Sequence, residues 1–353
     1  MTEPDFSSIL SHFGITPVED SVSPFGDGLI NDTYLVKTPA GESDYILQRV
    51  NHEIFRDIEG LHHNIALVTS HIRKKLQQQG VMDIDRKCLK YIPEIETGKL
   101  YYFDGKYYWR VSEYIPDTES RLSITAENAR LAGKAFGEFE AILADLNGYL
   151  IEPIPDFHNL EFRNRQFEEA ISLNRAGRVG EVMKEIEILR DKLDKYTEAE
   201  RLYKAGKIDK RICHCDPKLS NILFNTDGSI ACVIDLDTVM PSFITSDFGD
   251  FLRSAANSTD ENDPEMDNIS FRKEIYEAFK EGYLEITSDI LTEDEKKLLP
   301  QAMGRFAYMQ AMRFLTDYLN GDSYYKITYP EHNLIRARNQ LRLLFEVEKA
   351  LNL

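Results

Sequence analysis

The sequence predicts an α+β fold in two parts of unequal size, a small β-rich N-terminal part and a larger, mainly helical C-terminal part. In the first third of the chain, short apolar segments alternate with Gly and Asp, which is typical of strands and tight turns. After Pro116 the apolar residues recur at helical spacing instead. We therefore expect residues 1–115 to form the β-rich part and residues 116–353 the helical part.

The N-terminal part is predicted to contain four strands and one long helix. The helix has apolar residues at alternating three- and four-residue spacing from Ile58 to Leu76, and Gly80 is the signal for its end. The dipeptide Asp104-Gly105 predicts a hairpin turn between two of the strands. The strands are expected over residues 31–38, 45–50, 100–103 and 107–114.

The C-terminal part is predicted to be built from helices. Apolar stripes over residues 131–143 and 182–196 indicate two of them, the second inside a heavily charged segment. Thr292 and Glu295 form a capping box that opens another helix. Pro300 and Gly304 are expected to kink this helix, and Asn320-Gly321 to end it.

Composition excludes several classes of protein. The 60 acidic and 42 basic residues give a formal net charge of −18, which opposes binding to nucleic acid phosphates and anionic membranes. Apolar segments are too short to span a membrane, and the N-terminus lacks the features of a signal peptide. With only 4 Cys in 353 residues, a disulfide scaffold is not expected. Cys213 and Cys215 are interpreted as small buried side chains rather than metal ligands, and we expect a cytoplasmic protein.

The most informative segment is residues 212–237, which reads ICHCDPKLSNILFNTDGSIACVIDLD. Phosphoryl transfer needs a carboxylate beside the acceptor hydroxyl, hard oxygen ligands for magnesium, and a cation near the moving phosphoryl group. Asp216 fits the first role, Asn221 and Asp235 the second, and Lys218 the third. The alternative is a capped turn with solvated side chains. All four residue types in this order, with a predicted hairpin between Asn221 and Asp235, favour a catalytic and metal site.

Further acidic residues lie at the end of this segment and beyond it. A literal Asp247-Phe248-Gly249-Asp250 is present, but it lies beyond Pro241, whereas Asp235 closes the hairpin directly. We therefore assign the metal to Asp235 and interpret residues 247–250 as an element that starts a helix or braces a loop. Asp237 is either a second metal ligand or a turn residue.

These motifs resemble those of the protein-kinase-like phosphotransferases, and specifically the aminoglycoside phosphotransferase and choline kinase group. The motif Asp216-x-Lys218-Leu219-x-Asn221 is shared by many members of this group. Two other segments, residues 235–241 and 313–319, are motifs that fewer members share, and they resemble the branch that phosphorylates N-acetylhexosamines. The matching segments cover nearly the whole chain and are residues 26–34, 47–51, 112–114, 216–221, 233–241, 247–250, 312–322 and 329–334.

The resemblance implies a bilobal fold with an N-terminal nucleotide-binding lobe and a C-terminal catalytic and substrate lobe. It implies ATP and magnesium as cofactors and the anomeric hydroxyl of an N-acetylhexosamine as the acceptor. Gly26, Gly28 and Thr33 then belong to a phosphate loop, and the backbone at Glu113 and Tyr114 contacts adenine. The small-molecule sugar is expected to be held by Asp32, Arg313 and Tyr324.

One departure from the family pattern concerns the strand lysine that holds ATP phosphates, which is missing here. Arg49 supplies a charge at this point, but Gln48 is an equally possible replacement, and the two alternate to opposite faces of the strand. Two rival functions remain open. One is the same chemistry on choline, homoserine, an amino alcohol or an aminoglycoside, and the other is a non-catalytic nucleotide- or sugar-binding regulator.

Overall fold

The structure, a computed structural model, describes residues 4–26, 28 and 30–353. Residues 1–3 lie outside the described part, as do Asp27 and Leu29 of the predicted phosphate loop. The chain divides into two compact units, and each is described here by itself. Unit 1 comprises residues 1–121, 145–155 and 220–240, and unit 2 comprises residues 122–144, 156–219 and 241–353.

The predicted α+β class is confirmed, because the paired strands of the main sheet lie in unit 1 and most of the long helices lie in unit 2. The hairpin that follows Asn221 belongs to unit 1 although it comes late in the chain. The units are therefore not contiguous segments, and the predicted functional division into residues 1–115 and 116–353 stays a prediction.

Four strands of the main sheet lie within or next to the four predicted segments, but this sheet has two more, Val22–Pro24 and Tyr91–Ile92, so the predicted number was too low. The strands are β1 Val22–Pro24, β2 Asp32–Val36, β3 Tyr45–Val50, β4 Tyr91–Ile92, β5 Tyr102–Phe103, β6 Tyr108–Glu113, β7 Thr118–Ser120, β8 Arg211–Cys213, β9 Ile222–Asn225, β10 Ile230–Val233 and β11 Met240–Ser242.

The helices occupy most of the chain after residue 125. They are α1 Phe6–Ser11, α2 Ile58–Gln78, α3 Ile84–Lys87, α4 Ala126–Leu143, α5 Leu160–Leu173, α6 Met183–Tyr196, α7 Glu198–Lys204, α8 Thr245–Ala255, α9 Lys273–Thr287, α10 Glu293–Leu319 and α11 His332–Leu351.

The main sheet of unit 1 is antiparallel, with the strand order β1-β2-β3-β6-β4 and with β5 paired to β6. Its register pairs Leu47 with Val111 and Gln48 with Arg110. Because side chains alternate between the two faces of a strand, Leu47 and Val111 enter the buried cluster that also holds Trp109 and α1. Gln48 and Arg110 therefore lie on the opposite face.

Helix α2 begins at the residue that the apolar pattern indicated. The Asp57 side chain caps it by accepting a hydrogen bond from the backbone N–H of Gly60 at 2.8 Å. The helix ends at Gln78, and Gly80 adopts a φ of +74°, which only glycine takes at little cost. The predicted apolar face, including Leu61 and Ile65, is buried.

The second sheet of unit 1 contains the predicted hairpin. Strands β9 and β10 are antiparallel neighbours, and β7 pairs with the other edge of β9. The turn between them includes Gly228 at a φ of +84°. This hairpin brings Asn221 and Asp235 to its open end, where the backbone N–H of Ile234 donates to the carbonyl of Asn221 at 2.9 Å.

Helices α4 and α9 of unit 2 approach each other more closely than ordinary side chains allow. A Cβ atom added to Gly133 would lie 2.2 Å from the carbonyl oxygen of Phe279, and one added to Gly282 would lie 2.0 Å from that of Arg130. The absence of a side chain at both positions is therefore a condition for this packing.

Helix α10 opens with the predicted capping box, in which the side chains of Thr292 and Glu295 each accept from the other's backbone N–H. It continues through Pro300, where a kink was expected, and ends before Asn320 as predicted. Within the described part of the chain, no helix is both long and apolar enough to cross a membrane.

Candidate active site

The loop after β8 in unit 2 carries Asp216 and Lys218. The Nζ atom of Lys218 lies 2.9 Å from the Asp216 carboxylate, whose side chain keeps 24% of its exposure. His214 is fully buried, with its ring edge-on to Phe136 and Phe139 of α4. The buried ring of His214 fixes the loop, and the partly exposed carboxylate of Asp216 stays accessible to a ligand.

Asp247 of α8 holds this loop through the backbone. Its carboxylate oxygens accept the N–H groups of His214 at 2.6 Å and of Cys215 at 2.7 Å. Cys215 adopts a φ of +61°, a left-handed conformation that costs a non-glycine residue energy. The interpretation of residues 247–250 as a helix-starting and loop-bracing element is confirmed, since α8 begins at Thr245.

The rest of the Asp-Phe-Gly segment serves packing. The side chain of Phe248 is buried edge-on against Tyr276, Phe279 and Tyr283. A Cβ atom on Gly249 would come within 2.5 Å of the carbonyl oxygen of Ala302 in α10. Phenylalanine and glycine are thus required at these positions by the interior of unit 2.

Asn221 and Asp235 form the oxygen donor set of unit 1. Asn221 is buried, whereas Asp235 is exposed and adopts a left-handed conformation with a φ of +61°. An amide oxygen and a carboxylate at one end of a hairpin are hard ligands of the kind that Mg²⁺ prefers. The residues present therefore fit the ion by the chemistry of their donor atoms.

Asp237 is occupied by protein groups. One carboxylate oxygen accepts from Nη1 of Arg110, and the other accepts from Nη2 of Arg110 at 2.9 Å and from Nδ2 of Asn31 at 2.6 Å. Arginine and aspartate are both almost fully buried. This pairing keeps the pKa of Asp237 below its ordinary value despite burial, which acts in the opposite direction.

The register of β2 and β3 places Thr33 and Arg49, two of the predicted nucleotide-binding residues, on opposite faces of the sheet. Thr33 is opposite Gln48, and Nε2 of Gln48 donates to the Thr33 hydroxyl at 3.2 Å. Arg49 lies on the other face with Asp32, whose carboxylate accepts from Nε of Arg49 at 2.6 Å. The face with Thr33 gains its charge from Arg110, whose Nε donates to Gln48 at 3.0 Å. Arg49 and Thr33 are therefore not brought to the same face.

The predicted adenine and phosphate segments also lie in unit 1. The N–H of Glu113 donates to the carbonyl of Lys90, and that of Tyr114 to the carbonyl of Asp44, each at 2.9 Å. An adenine contact at these residues must therefore use carbonyl oxygens. Among the described residues, a Cβ on Gly26, whose φ is +73°, would meet nothing within 4 Å, and one on Gly28 would lie 3.5 Å from the carbonyl oxygen of Asn31.

A cavity of about 260 Å³ in unit 2 brings together Arg313 and Tyr324, two of the predicted sugar-binding residues. The spacing of Arg313 and Asp317 also allowed an ion pair between them, but Arg313 instead donates to Gln310 at 3.1 Å. Its guanidinium group lies between the rings of Phe157 and Tyr325, 5.6 and 5.7 Å from their centroids.

The cavity has a surplus of positive charge. Arg163 and Arg175 line it together with Arg313, and the acids are Glu169 and Asp317. Asp317 is already satisfied, because its oxygens accept the N–H groups of residues 323, 324 and 325 and the amide of Asn333.

Arg163 has an unmet hydrogen-bonding capacity beside this cavity. Its Nη atoms donate to Gln166 and to the carbonyl of Phe157, while its buried Nε has no hydrogen-bond partner among the described residues. Burial and the neighbouring charge of Arg313 lower the pKa of Arg163 to about 10.

His158 is a buried histidine whose pKa is affected by charges of the cavity and of the loop that carries Asp216. Burial, followed by the charges of Arg313, Arg305 and Arg163, lowers its pKa well below the ordinary value, and the negative charge of Asp216 acts in the opposite direction.

Sequence reasoning missed Arg110, Arg163 and Glu140 of α4. Arg110 alternates with the apolar residues Trp109 and Val111, and Glu140 lies in the apolar stripe of its helix. A charged residue within such a stripe was an available signal. Arg163 lies in a charged segment and gave none.

A profile of the family described as the phosphotransferase enzyme family (APH) matches residues 21–286, which is more than half of the chain. A spectinomycin phosphotransferase in complex with ADP and spectinomycin is 15% identical over 99% of each chain, with a TM-score of 0.58. A microcompartment-associated aminopropanol kinase is 18% identical over 98% of this chain and 97% of its own, with a TM-score of 0.60. A Plasmodium vivax ethanolamine kinase is 17% identical over 95% and 88%, with a TM-score of 0.55. These similarities confirm the predicted protein-kinase-like fold.

Proposed function

The chain belongs to the phosphotransferase enzyme family, and from this premise we propose that it is an ATP- and magnesium-dependent N-acetylhexosamine 1-kinase. The reaction transfers the terminal phosphoryl group of ATP to the anomeric hydroxyl of the sugar and releases ADP. The observation that carries the proposal is the arginine-lined cavity of unit 2, which contains Arg313 and Tyr324 and lies in the same unit as Asp216.

The charge of the cavity argues against a cationic acceptor. Ammonium groups are recognised by acids and by aromatic faces that are open to the ligand. Here three arginines outnumber the two acids of the lining, Glu169 and Asp317, and Asp317 is fully hydrogen-bonded, so the net charge of the cavity opposes a cation although Tyr324 offers an exposed ring. Choline, an amino alcohol or an aminoglycoside would bring positive charge towards Arg163 and Arg313, which is unfavourable in a partly buried site.

A neutral sugar suits the same groups. Guanidinium groups donate several hydrogen bonds in a fixed plane, and hydroxyl and acetamide oxygens accept them. The unpartnered Nε of Arg163 is a donor that a ligand in the cavity can satisfy. Tyr324, which is 71% exposed, offers a ring face and a hydroxyl group to one side of a pyranose.

In this proposal Asp216 accepts the proton of the anomeric hydroxyl and orients its oxygen for attack. The anomeric hydroxyl is more acidic than an ordinary alcohol, so a carboxylate is an adequate base. Lys218, 2.9 Å from Asp216, offsets negative charge as the phosphoryl group moves. Asp32 is retained as a candidate contact to the sugar.

The nucleotide groups are assigned to unit 1. Asn221 and Asp235 would hold magnesium, which when bound neutralises charge on the phosphates. Gly26, Gly28 and Thr33 would contact phosphate, with Gln48 and Arg110 in place of the family lysine because they share the face of Thr33. Arg49 is less suitable, since it pairs with Asp32 on the other face. Adenine would lie against the carbonyl side of Glu113 and Tyr114.

The test is magnesium-dependent ADP release from ATP with a panel of acceptors: GlcNAc, GalNAc, unsubstituted hexoses, choline, homoserine, ethanolamine and spectinomycin. We expect turnover with the N-acetylhexosamines and none with their methyl glycosides, whose anomeric oxygen is blocked. Preferred turnover with a cationic acceptor would overturn the proposed acceptor class.

Two variants test the residue assignments in the same assay. Asp216→Asn should lose most turnover, roughly a hundredfold or more, while it still binds the nucleotide. Asp235→Ala should raise the magnesium concentration needed for half-maximal rate. If the wild type binds ATP but phosphorylates no acceptor of the panel, the result would favour a non-catalytic regulator over a kinase.

A further inference from the structure

A second set of titratable groups is buried next to the loop that carries Asp216, and one of them holds the backbone of that loop. Glu140 of α4, Cys213 of β8 and Asp247 of α8 place one ligand atom each within 4.8 Å of one another, and all three side chains are buried. Asp247 is the residue that accepts the N–H groups of His214 and Cys215.

The hydrogen bonds around this cluster leave one carboxyl oxygen of Glu140 without a partner among the described residues. The Tyr283 hydroxyl of α9 donates to Oε2 of Glu140. The other oxygen, Oε1, is buried and accepts no hydrogen bond from any described residue. Each oxygen of Asp247 already accepts a backbone N–H. The ligand atoms of Glu140 and Asp247 lie within 4.8 Å of each other, so two carboxyl groups are neighbours in the buried interior of unit 2.

Two buried carboxylates in contact cannot both stay ionised, because repulsion and lost hydration act together. The nearest cation of β8, Arg211, is engaged with Glu295, to which its Nε donates at 2.6 Å. One proton shared between the two carboxyl groups relieves the repulsion. It also gives Oε1 of Glu140 a hydrogen to donate.

The surroundings decide which group holds that proton. Burial raises the pKa of Asp247 above its ordinary value, while nearby His214 and the two backbone N–H groups act in the opposite direction and favour the ionised form. For Glu140, burial and then the charge of Asp247 raise the pKa well above its ordinary value. The proton therefore belongs to Glu140.

A metal ion is the alternative occupant, and the donor chemistry opposes it. Burial and then Asp247 raise the pKa of the Cys213 thiol well above its ordinary range, so the thiolate needed for coordination is disfavoured. The Cys213 sulfur instead lies 3.4 Å from the carbonyl of Phe243, as a thiol donor does.

We propose that Glu140 is a positioning residue that stays protonated and donates a hydrogen bond from its carboxyl group to Asp247. Asp247 in turn fixes the backbone of His214 and Cys215, and with it the carboxylate of Asp216. Only the activity readout rests on the proposed function. The close approach of α4 and α9 at Gly133 and Gly282 sets the distance between Glu140 and Tyr283.

The test uses the full-length protein and two substitutions of Glu140. Glu140→Gln keeps the shape and an N–H donor towards Asp247, whereas Glu140→Leu removes the donor. Infrared spectroscopy at neutral pH should show a protonated carboxylic acid carbonyl band in the wild type that is absent from Glu140→Gln. Hydrogen exchange of the amides of residues 214–216 should stay slow in Glu140→Gln and accelerate at least tenfold in Glu140→Leu.

The kinetic readout separates positioning from folding. We expect Glu140→Gln to keep kcat within roughly threefold of the wild type, and Glu140→Leu to lose at least tenfold in kcat with an unchanged KM for ATP. Absence of the wild-type acid band, or equal loss of kcat and amide protection in both variants, would overturn the proposal.

The spectroscopic and exchange results do not depend on the acceptor. A wild-type acid band and fast loop exchange in Glu140→Leu, together with no turnover on any acceptor, would contradict the proposed function and support this inference. If Glu140→Leu does not fold, the acid band and the kinetics of Glu140→Gln decide alone.

Discussion

Arg110 and Asp237 form a buried ion pair through two guanidinium nitrogens, and neither side chain is more than 3% exposed. The pair joins the central strand β6 to the residues that follow the hairpin within unit 1. Asn31 adds a third hydrogen bond to the same carboxylate at 2.6 Å. Asp237 thus fixes the backbone immediately after the proposed magnesium ligand Asp235.

We expect Asp237→Asn to destabilise the protein strongly. The variant leaves the guanidinium group of Arg110 buried without its counter-charge, and breaking a buried pair in this way costs about 3–5 kcal/mol. The free energy of unfolding from urea titration measures the effect.

The exposed pair between Asp32 and Arg49 in the same sheet provides the control. Its side chains are 50% and 29% exposed, and pairs of this kind contribute about 0–1 kcal/mol. Asp32→Asn should therefore cost little. Equal losses in Asp32→Asn and Asp237→Asn would contradict a structural role for the buried pair.

His62 of α2 predicts a loss of stability at acid pH. Burial, followed by the charge of Arg110, lowers its pKa from the ordinary value of 6.5 to about 4. The unfolded chain therefore binds this proton more readily than the folded protein. The contribution of neutral His62 is complete above about pH 6.5 and is lost as the pH falls towards 4.

The size of this effect follows from the shift in pKa, because each unit corresponds to about 1.4 kcal/mol. The wild type should lose about 3 kcal/mol through His62 between pH 6.5 and 4, in addition to what its carboxylates contribute. In His62→Gln that share should disappear, so the two stability curves converge at low pH. Parallel curves for the wild type and His62→Gln would rule out His62 as the titrating group.

Elements defined by local patterns could be predicted from the sequence. Strand β3 and the start of α2 match because alternation, helical spacing and a capping aspartate lie within the segment itself. The hairpin between Asn221 and Asp235 has its turn residues at the right place for the same reason. Asp247 could be separated from the proposed metal ligands by its spacing alone.

The residues that were missed depend on distant partners. Arg110 and Asp237 are 127 positions apart in the sequence. The local pattern around Arg110 therefore shows a charged residue in an apolar strand but does not show which residue pairs with it. Arg163 and Arg313 meet in one cavity only because α5 and α10 pack together. The face to which Arg49 points was undecidable, because alternation gives two registers and only pairing with β2 selects one.

Gly133→Ala should separate α4 from α9. The added methyl group would meet the carbonyl oxygen of Phe279 at 2.2 Å, and backbone atoms cannot rotate away as a side chain can. Overpacking of this kind costs about 1–3 kcal/mol, more than the gain of at most about 1 kcal/mol in helix propensity. Gly137→Ala on the same helix is the control, since its nearest neighbours lie at 3.3 Å. A Gly133→Ala protein as stable as Gly137→Ala would contradict the close approach.

Arg163→Met should weaken acceptor binding without affecting the nucleotide. The variant keeps much of the aliphatic volume and removes the buried Nε donor that has no partner within the described chain. Loss of one hydrogen bond to a polar ligand costs about 1.4 kcal/mol, which is roughly a tenfold rise in the KM for the N-acetylhexosamine. Steady-state kinetics with either substrate varied should show this rise and an unchanged KM for ATP.

Arg165→Met provides a matched control two positions along the same helix. Arg165 is exposed and lies over the ring of Phe162, outside the residues that line the cavity. Arg165→Met removes the same charge from the protein as Arg163→Met, so a general electrostatic effect would appear in both variants. A rise in acceptor KM that is equal in Arg163→Met and Arg165→Met would show that net charge, and not the cavity, governs binding. A rise confined to Arg163→Met would identify the cavity of unit 2 as the acceptor site.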